Sequence, residues 1–381
     1  MQKTDVLVVG GGLSGLVATW QLQSAGVDVW LMEARPRFGG RILTVGGDEG
    51  ADCDLGPSWI WPGQPLVTSL LDHFKIPYYE QFAEGMVLFQ RPDGHVERIE
   101  NPSPMQGARR IQGGIHLLTD AMVNEMDRSR RFLAHRITGL SSKKHFTIVD
   151  AVSSAGPMQI QAQQVALAIP PRLAAELKFA PELPAETMTT LDATPTWMAG
   201  HAKFFAVYAA PFWRDKGLCG TAISQCGPLA EIHDASPNNG RTFSLFGFSG
   251  LDAECRSSMG CSEFINQATA QLVALFGREA EEPQAVYFQD WSTEEFTAHT
   301  ADCQAPTRHP QYGLSPQLGE AWNGKVEFIS TETSFSNGGL IEGALAAGLR
   351  FAQRITGLNL PPADDMNTPR SANMSWDWLR S

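Results

Sequence analysis

Cysteine is scarce in this chain and never paired by spacing. Of 381 residues six are cysteine (Cys53, Cys219, Cys226, Cys255, Cys261 and Cys303), and no two form a C-x-x-C. That excludes a disulfide scaffold and a thiolate zinc centre, and reads as reduced thiols in a cytoplasmic protein. The nine histidines are scattered and none belongs to an H-E-x-x-H helix, so metallopeptidase chemistry finds no support. No apolar run reaches the roughly 18 residues of a membrane span. The first strand begins almost at once, which leaves no room for a secretory leader. Basic residues are the minority, 29 Lys and Arg against 41 Asp and Glu, for a net charge of −12. Nucleic acid and anionic membranes are therefore not expected as main partners. Neither Gly12-Leu13-Ser14-Gly15 nor Gly247-Phe248-Ser249-Gly250 has the spacing of a serine-hydrolase elbow.

What the chain does contain is concentrated at its start. Asp5 to Val9 reads as a short buried strand, and Gly10, Gly12 and Gly15 follow as G-x-G-x-x-G. An apolar helical run, Leu13 to Ala25, stops at Gly26, and a second strand, Val27 to Met32, ends at Glu33. This strand–turn–helix–strand–acid order is the layout of a dinucleotide site. The first glycine makes the tight turn, the second lets backbone approach a pyrophosphate, and the third lets helix pack on strand. The helix start, at Leu13 and Ser14, offers free N–H groups and a positive dipole end to phosphate. Glu33 stands where a carboxylate can accept hydrogen bonds from a ribose. Thr19 occupies a helix position where Gly or Ala is usual, beside the small Ala18.

Later segments alternate between helical and strand patterns. Residues 66–75 and Ile115 to Met126 read as helices, and Tyr78 to Glu100 as a hairpin turning at Pro92-Asp93-Gly94. Strands are expected near 132–138, 145–152, 158–168 and 197–209, and a helix over 262–276. The end returns to an α/β pattern, with a strand Val326 to Ser330 and a helix Leu340 to Thr356 entered through Ser336-Asn337-Gly338-Gly339. A glycine-rich helix entry gathers N–H groups and the positive dipole end, which suits the N1/C2=O edge of an isoalloxazine. Residues 361–381, with three prolines and no periodicity, read as a surface tail.

Together these motifs resemble the flavin-dependent amine oxidase family, the monoamine and polyamine oxidases and their relatives. The resemblance is carried by Val9 to Gly15, Glu33-Ala34-Arg35 through Gly39-Gly40-Arg41, Asp54-Leu55-Gly56-Pro57-Ser58 and Gln112-Gly113-Gly114-Ile115. It continues through Ala168-Ile169-Pro170-Pro171, His201-Ala202-Lys203 with Pro211-Phe212-Trp213-Arg214, Asp290-Trp291, and Thr331-Glu332-Thr333 through Glu342-Gly343-Ala344. It implies an α/β protein with a Rossmann-type FAD-binding domain and an interleaved, shortened substrate domain containing a mixed sheet. The expected FAD-binding pieces are 1–77, 111–190 and 301–360, and the substrate-lobe pieces 78–110 and 191–300.

Several roles follow from the resemblance. FAD contacts fall to Gly10, Gly12, Leu13, Ser14, Gly15, Glu33, Ala34, Arg35, Gly39, Gly40, Arg41, Pro57, Ser58, Ile137, Glu332, Gly339 and Leu340. Lys203, which interrupts the apolar run Phe204-Phe205-Ala206-Val207, would hold a water against flavin N5, where its charge favours the reduced flavin. Read without the resemblance, it is a strand lysine facing solvent. Trp291 is the aromatic near the flavin. Trp59 either lines the substrate cavity or belongs to the core.

The departures are equally informative. Thr300 stands where the best-known monoamine oxidases carry a flavin-linked cysteine, so FAD is expected to be non-covalent. Ala301 and Leu340 replace their two cage tyrosines. The span between Phe82 and Gln112 is short where many relatives insert a helical bundle, which implies an open lobe or a roof donated by a protein partner. The expected activity is oxidation of a small amine, with hydride transfer to N5, an imine product and O2 as electron acceptor. A desaturase or isomerase acting on a C–C substrate and a non-catalytic flavoprotein are the alternatives.

Overall fold

Strict alternation in the first strand sets the architecture. In Gln2–Val9, Val6 and Val8 pack into one apolar cluster, and Leu7 and Val9 into another on the opposite face. A strand buried on both faces belongs in the middle of a layered α/β sheet. The computed structural model describes residues 1–46, 51–100, 105–304, 306, 308–313 and 321–357. The tail expected over 361–381 lies outside the described residues.

Gln2–Val9 lies parallel between Val29–Met32 and the long strand Gly156–Leu167. Arg131–Phe132 adds in parallel beyond Val29–Met32. The far edge of Gly156–Leu167 is shared. Its first half pairs antiparallel with Thr147–Ser153, and Val165 to Leu167 pair parallel with Val326–Phe328. Arg136–Ser142 and Lys178–Ala180 complete the sheet.

One face carries the first helix, Leu13–Ser24, and the last, Ile341–Thr356. Both end on a left-handed glycine, Gly26 at φ +77° and Gly357 at φ +69°. The two helices cross so closely that a Cβ on Gly348 would lie 2.3 Å from the Ser14 carbonyl. Thr19 is fully buried and its hydroxyl donates to the Gly15 carbonyl at 2.8 Å, so the departure is absorbed inside the helix. The helix Pro65–Phe74 starts with Pro at its first turn, and its N–H groups at Leu66 and Val67 donate to the Glu342 carboxylate.

The second sheet draws on residues 86–99 and 202–290. Its strand order is Ala285–Asp290, Ala202–Tyr208, Phe243–Ser249, Leu229–Asp234, Leu218–Ser224, Met86–Gln90, Val96–Ile99. It is mixed: Leu218–Ser224 and Met86–Gln90 run parallel, the other neighbours antiparallel. One face, with Phe204, Ala206, Leu229 and Ile232, packs on the helix Cys261–Phe276. The other carries Phe205, Val207, Phe246 and Phe248.

The hairpin expected over Tyr78 to Glu100 is smaller than its pattern implies. Met86–Gln90 and Val96–Ile99 form it, whereas Tyr78–Glu80 pairs with Arg109–Ile111. Among the described residues between Phe82 and Gln112 there is no helix.

Candidate active site

A cavity of about 1020 Å³ lies between the C-terminal edge of the parallel strands and the aromatic face of the second sheet. Open α/β sheets bind ligands at that edge. Gly10, Gly12, Leu13, Ser14, Glu33, Ala34, Arg35, Gly39, Gly40, Arg41, Pro57, Ser58, Ile137, Gly339 and Leu340 all border it, as do Trp59, Lys203 and Trp291. Gly15 and Glu332 do not, and each acts from behind.

The glycines divide by function. Gly10 has φ +102°, and a Cβ there would meet the Ala168 carbonyl at 2.7 Å. A Cβ on Gly15 would lie 1.9 Å from the Gly10 carbonyl. Both are demanded by the fold. Gly12 is different: its φ is −74°, and the nearest atom to an added Cβ is Gly40 Cα at 3.9 Å. Nothing among the described residues requires glycine there, which leaves the space open to a ligand.

That space faces unpaired donors. Gly12 is the N-cap of the first helix and makes no side-chain cap bond, and the last helix, with Leu340 at its N-cap, is likewise uncapped by a side chain. Two helix N-termini thus border one cavity, an arrangement that suits anionic or electron-rich groups. The Glu33 carboxylate accepts from the N–H groups of Gly11 at 2.7 Å and Arg35 at 2.8 Å. It is held rigidly and keeps lone pairs for a ribose. These residues fit a dinucleotide.

Two cationic residues serve the frame as well as the cavity. Arg35 donates to Thr297 Oγ1 at 2.7 Å and to the Glu294 carboxylate, tying the first βαβ unit to a segment 259 or more residues away. Arg41 forms a two-pronged pair with buried Glu332, at 2.6 and 3.1 Å.

At the other end the lysine is buried, not solvent-facing: Lys203 is 2% exposed. Its Nζ donates to the carbonyls of Asp54 at 2.7 Å and Gly56 at 3.0 Å and hydrogen-bonds Ser58 Oγ. It also lies 4.1 Å from the centre of the Phe246 ring. The lysine therefore fastens the 54–58 loop, and no N–H is left over for the expected water. Burial pushes its amine well below the usual lysine range; Asp54 opposes this and Arg110 adds to it. Trp291 donates from Nε1 to the Leu55 carbonyl at 2.9 Å, fixing the same loop. Trp59 donates to Gln81 Oε1 at 2.9 Å and packs edge-on to His233 and against Phe246 and Phe248. It is a cavity wall.

Thr300 and Ala301 lie on a short turn, Thr300–Asp302, and neither borders the cavity. Asp302 anchors that turn through Arg172 and the Thr196 N–H. All six cysteines are described, and none lines the cavity.

Some lining residues escape a reading of the sequence. His201 borders the cavity with its Nδ1 buried and unpartnered. Burial and then Arg256 depress its pKa, which favours the neutral ring. Phe248 and Glu231 share a register row with Lys203 across three strands. Glu231 accepts from His233 Nε2 at 2.6 Å, which lowers its pKa. Period-two alternation in Leu229–Asp234 and Phe243–Ser249 carries that signal, but only once the strand order is known. Glu342 stands within a sequence motif, yet its capping of a second helix emerges only from the fold. Burial pushes its pKa up to about 7, partly offset by the N–H groups of Leu66 and Val67.

The fold and the cavity define a dinucleotide-type α/β site that opens onto an aromatic pocket roofed by a separate sheet. The chain belongs to the flavin containing amine oxidoreductase family, whose sequence profile matches residues 13–102 and 94–356. It is similar to putrescine oxidase of Kocuria rosea, 23% identical over 463 aligned positions that cover 93% of this chain and 95% of the relative. Flavin-containing amine oxidase B of Sus scrofa is also 23% identical, covering 93% of this chain and 86% of that one. The alignments exceed the 381 residues of this chain, so these relatives carry insertions. Among solved structures, wild-type putrescine oxidase bound to putrescine has a TM-score of 0.76 at 21% identity over 93% of this chain and 99% of that one. Cyclohexylamine oxidase from Brevibacterium oxydans has a TM-score of 0.77 at 18% identity over the same shares. FAD is accordingly the cofactor, and the protein is an enzyme of the amine oxidase type. Among the described residues, no helix is long and apolar enough to cross a membrane.

Proposed function

We propose that the chain oxidises a small amine at its C–N bond, with the amine's α-carbon held between Lys203 and the aromatic wall. FAD, when bound, would supply the two-electron acceptor at N5 with O2 as the final oxidant, and the amine, losing its α-hydride, would leave as an imine that water hydrolyses. Gly12, Leu13 and Ser14 would hold the pyrophosphate, Glu33 the ribose, and the N-terminus at Leu340 and Ile341 the electron-rich edge of the ring system.

The substrate end is chiefly apolar and aromatic. Trp59, Trp291 and Phe248 line it and would exclude water and offer aromatic surface to an amine. The observation that carries this reading is the shared cavity: the aromatic wall and the buried lysine open onto the space beside two uncapped helix N-termini. Its test is an anaerobic screen of the purified yellow protein against primary and secondary amines. Bleaching of the flavin, followed by peroxide on admission of air, supports it; full occupancy with no bleaching by any amine overturns it.

One observation favours a second reading. No tyrosine lines the cavity among the described residues, which suits a less polar substrate losing hydrogen from a C–C bond. Bleaching by such a compound and by no amine would select that reading.

A further inference from the structure

Alkylamines are ammonium ions at neutral pH, and an ammonium cannot release an α-hydride because its nitrogen has no lone pair to form the C=N bond. If the chain oxidises amines as proposed above, a proton must first leave the bound substrate. The partners of Lys203 offer a place for it. Two of the three, the carbonyls of Asp54 and Gly56, can only accept. The third, the Ser58 hydroxyl, can either give or receive. An ammonium would donate to all three, leaving the Ser58 proton to point to the Asp54 carbonyl at 3.2 Å. A neutral amine satisfies the same geometry differently: its two N–H groups serve the carbonyls and its lone pair receives the Ser58 O–H. The site therefore accommodates both protonation states without moving a heavy atom.

Burial shifts the balance toward the neutral amine. Among the described residues Lys203 makes no ion pair; the nearby carboxylate of Asp54 is already engaged by Thr44 Oγ1 at 2.6 Å, Ile115 N at 3.0 Å and Arg110 at 3.6 Å. Arg110 adds like charge, Cys53 is a buried thiol, and the remaining neighbours on the sheet are the rings of Phe205, Phe246 and Phe248. Those rings favour a cation, and full burial opposes it. Ser58, 4% exposed, and Lys203, 2% exposed, both border the cavity, and the Ser58 hydroxyl is the partner of the lysine that can both take and give a proton.

We propose that Ser58 and Lys203 form a proton relay that neutralises the substrate ammonium. One ammonium N–H bond breaks as Ser58 Oγ takes that proton. The Ser58 O–H bond breaks as its own proton passes to Lys203 Nζ. The substrate becomes a free amine, the lysine an ammonium, and no charge is lost from the site. The proton returns to water through the same hydroxyl after the product has left.

The test uses the holoenzyme under anaerobic stopped flow, with whichever of putrescine, cyclohexylamine or benzylamine bleaches the flavin. The apparent Kd for total amine is measured from about pH 6 to about pH 9. Wild type should show little pH dependence, because the substrate's proton stays in the complex. In Ser58→Ala and Lys203→Met that proton must go to bulk water, so Kd should rise about tenfold per pH unit below the amine's pKa. Ser58→Thr, which keeps the hydroxyl, should restore the flat profile. A pH-indicator dye gives a readout independent of rate: no proton released on binding to wild type, one per site with Ser58→Ala. Equal slopes and equal proton counts in wild type and Ser58→Ala overturn the relay while leaving amine oxidation intact. Failure of every amine to bleach the wild-type flavin overturns the amine reading, and the relay with it.

Discussion

The two ends of the cavity are built by different means. At the nucleotide end a short continuous stretch, Gly10 to Gly15, does most of the shaping, and it works through backbone. At the end proposed for the substrate the lining comes from side chains far apart in sequence: Trp59 in a loop, Lys203 and Phe248 on neighbouring strands, Trp291 after the edge strand Ala285–Asp290. The first kind of site tolerates no added atom. The second depends on hydrogen bonds that hold a loop against a sheet. Substitutions should therefore act all-or-none at one end and by degrees at the other.

The sharpest way to break this comparison lies within the nucleotide end itself. Gly12→Val should abolish FAD binding yet leave the apoprotein folded, because the space beside Gly12 is open. Gly15→Ala should do the reverse and destabilise the apoprotein by about 1–3 kcal/mol or more, since its Cβ would meet a backbone carbonyl at 1.9 Å. Flavin absorbance after gel filtration and apoprotein melting separate the two. Normal FAD occupancy in Gly12→Val would remove this turn as the phosphate site. Precipitation with acid should leave the wild-type flavin in the supernatant, as no cysteine lines the cavity; colour in the pellet would show a covalent link.

At the substrate end, Lys203→Met should keep FAD and still slow anaerobic flavin reduction. Loss of a positioned proton acceptor typically costs on the order of 10²–10⁴ in rate. It also removes the lysine donor from the Gly56 carbonyl, at about 1–3 kcal/mol for an unsatisfied group, and leaves the Asp54 carbonyl to the Ser58 hydroxyl. Reduction within a factor of about two of wild type, under 0.5 kcal/mol on the rate scale, would make Lys203 a purely structural clamp.

Glu342 joins the two ends, standing in the first turn of the last helix and capping Pro65–Phe74. Its pKa in the folded protein, about 7, lies above the ordinary value of 4.5. Between those values the folded state keeps a proton that the unfolded chain has released, so stability falls as pH rises through this window. Complete ionisation corresponds to a loss of about 3 kcal/mol. Glu342→Gln cannot ionise and should lack that fall, so its melting temperature should change less than wild type's between about pH 5 and about pH 8. Parallel curves would show that the two helix N–H groups already stabilise the carboxylate fully.

The same contrast explains what is legible in the sequence. The Gly10–Gly15 turn, Glu33 and the glycine-rich entry to the last helix can be read directly because each is a local demand on the backbone. Lys203 is ambiguous by itself: an apolar strand with one lysine fits either face, and only the family register points it inward. Glu231 and Phe248 stay hidden because alternation assigns a face only relative to neighbours, and their neighbours are up to 45 residues away. The family register puts Ala301 at the cage position; in the fold it lies on the short turn Thr300–Asp302, held by Arg172 at Asp302, and does not border the cavity. Arg35 sits in the fingerprint, yet its guanidinium is spent on Glu294 and Thr297, partners no local pattern could reveal.

The smallest expected effect tests whether the aromatic wall acts by shape or by fixed orientation. Trp59 meets the cavity with its indole and reaches Gln81 with its N–H, and Gln81 in turn donates to the carbonyls of Asp234 and Phe82. Trp59→Phe keeps a ring against His233, Phe246 and Phe248 but removes the donor, leaving Gln81 Oε1 without its partner. The lost hydrogen bond should cost about 0.5–1.5 kcal/mol of stability. If orientation matters, the apparent Kd for the amine should rise by up to about tenfold, the equivalent of 1.4 kcal/mol, while the limiting rate of flavin reduction stays near wild type. The added Gln81→Glu change should not rescue it, since a carboxylate offers no donor to the two carbonyls. An unchanged Kd in Trp59→Phe would mean that the wall works by ring area alone, and the substrate end would then be as insensitive to hydrogen bonding as the nucleotide end is sensitive to volume.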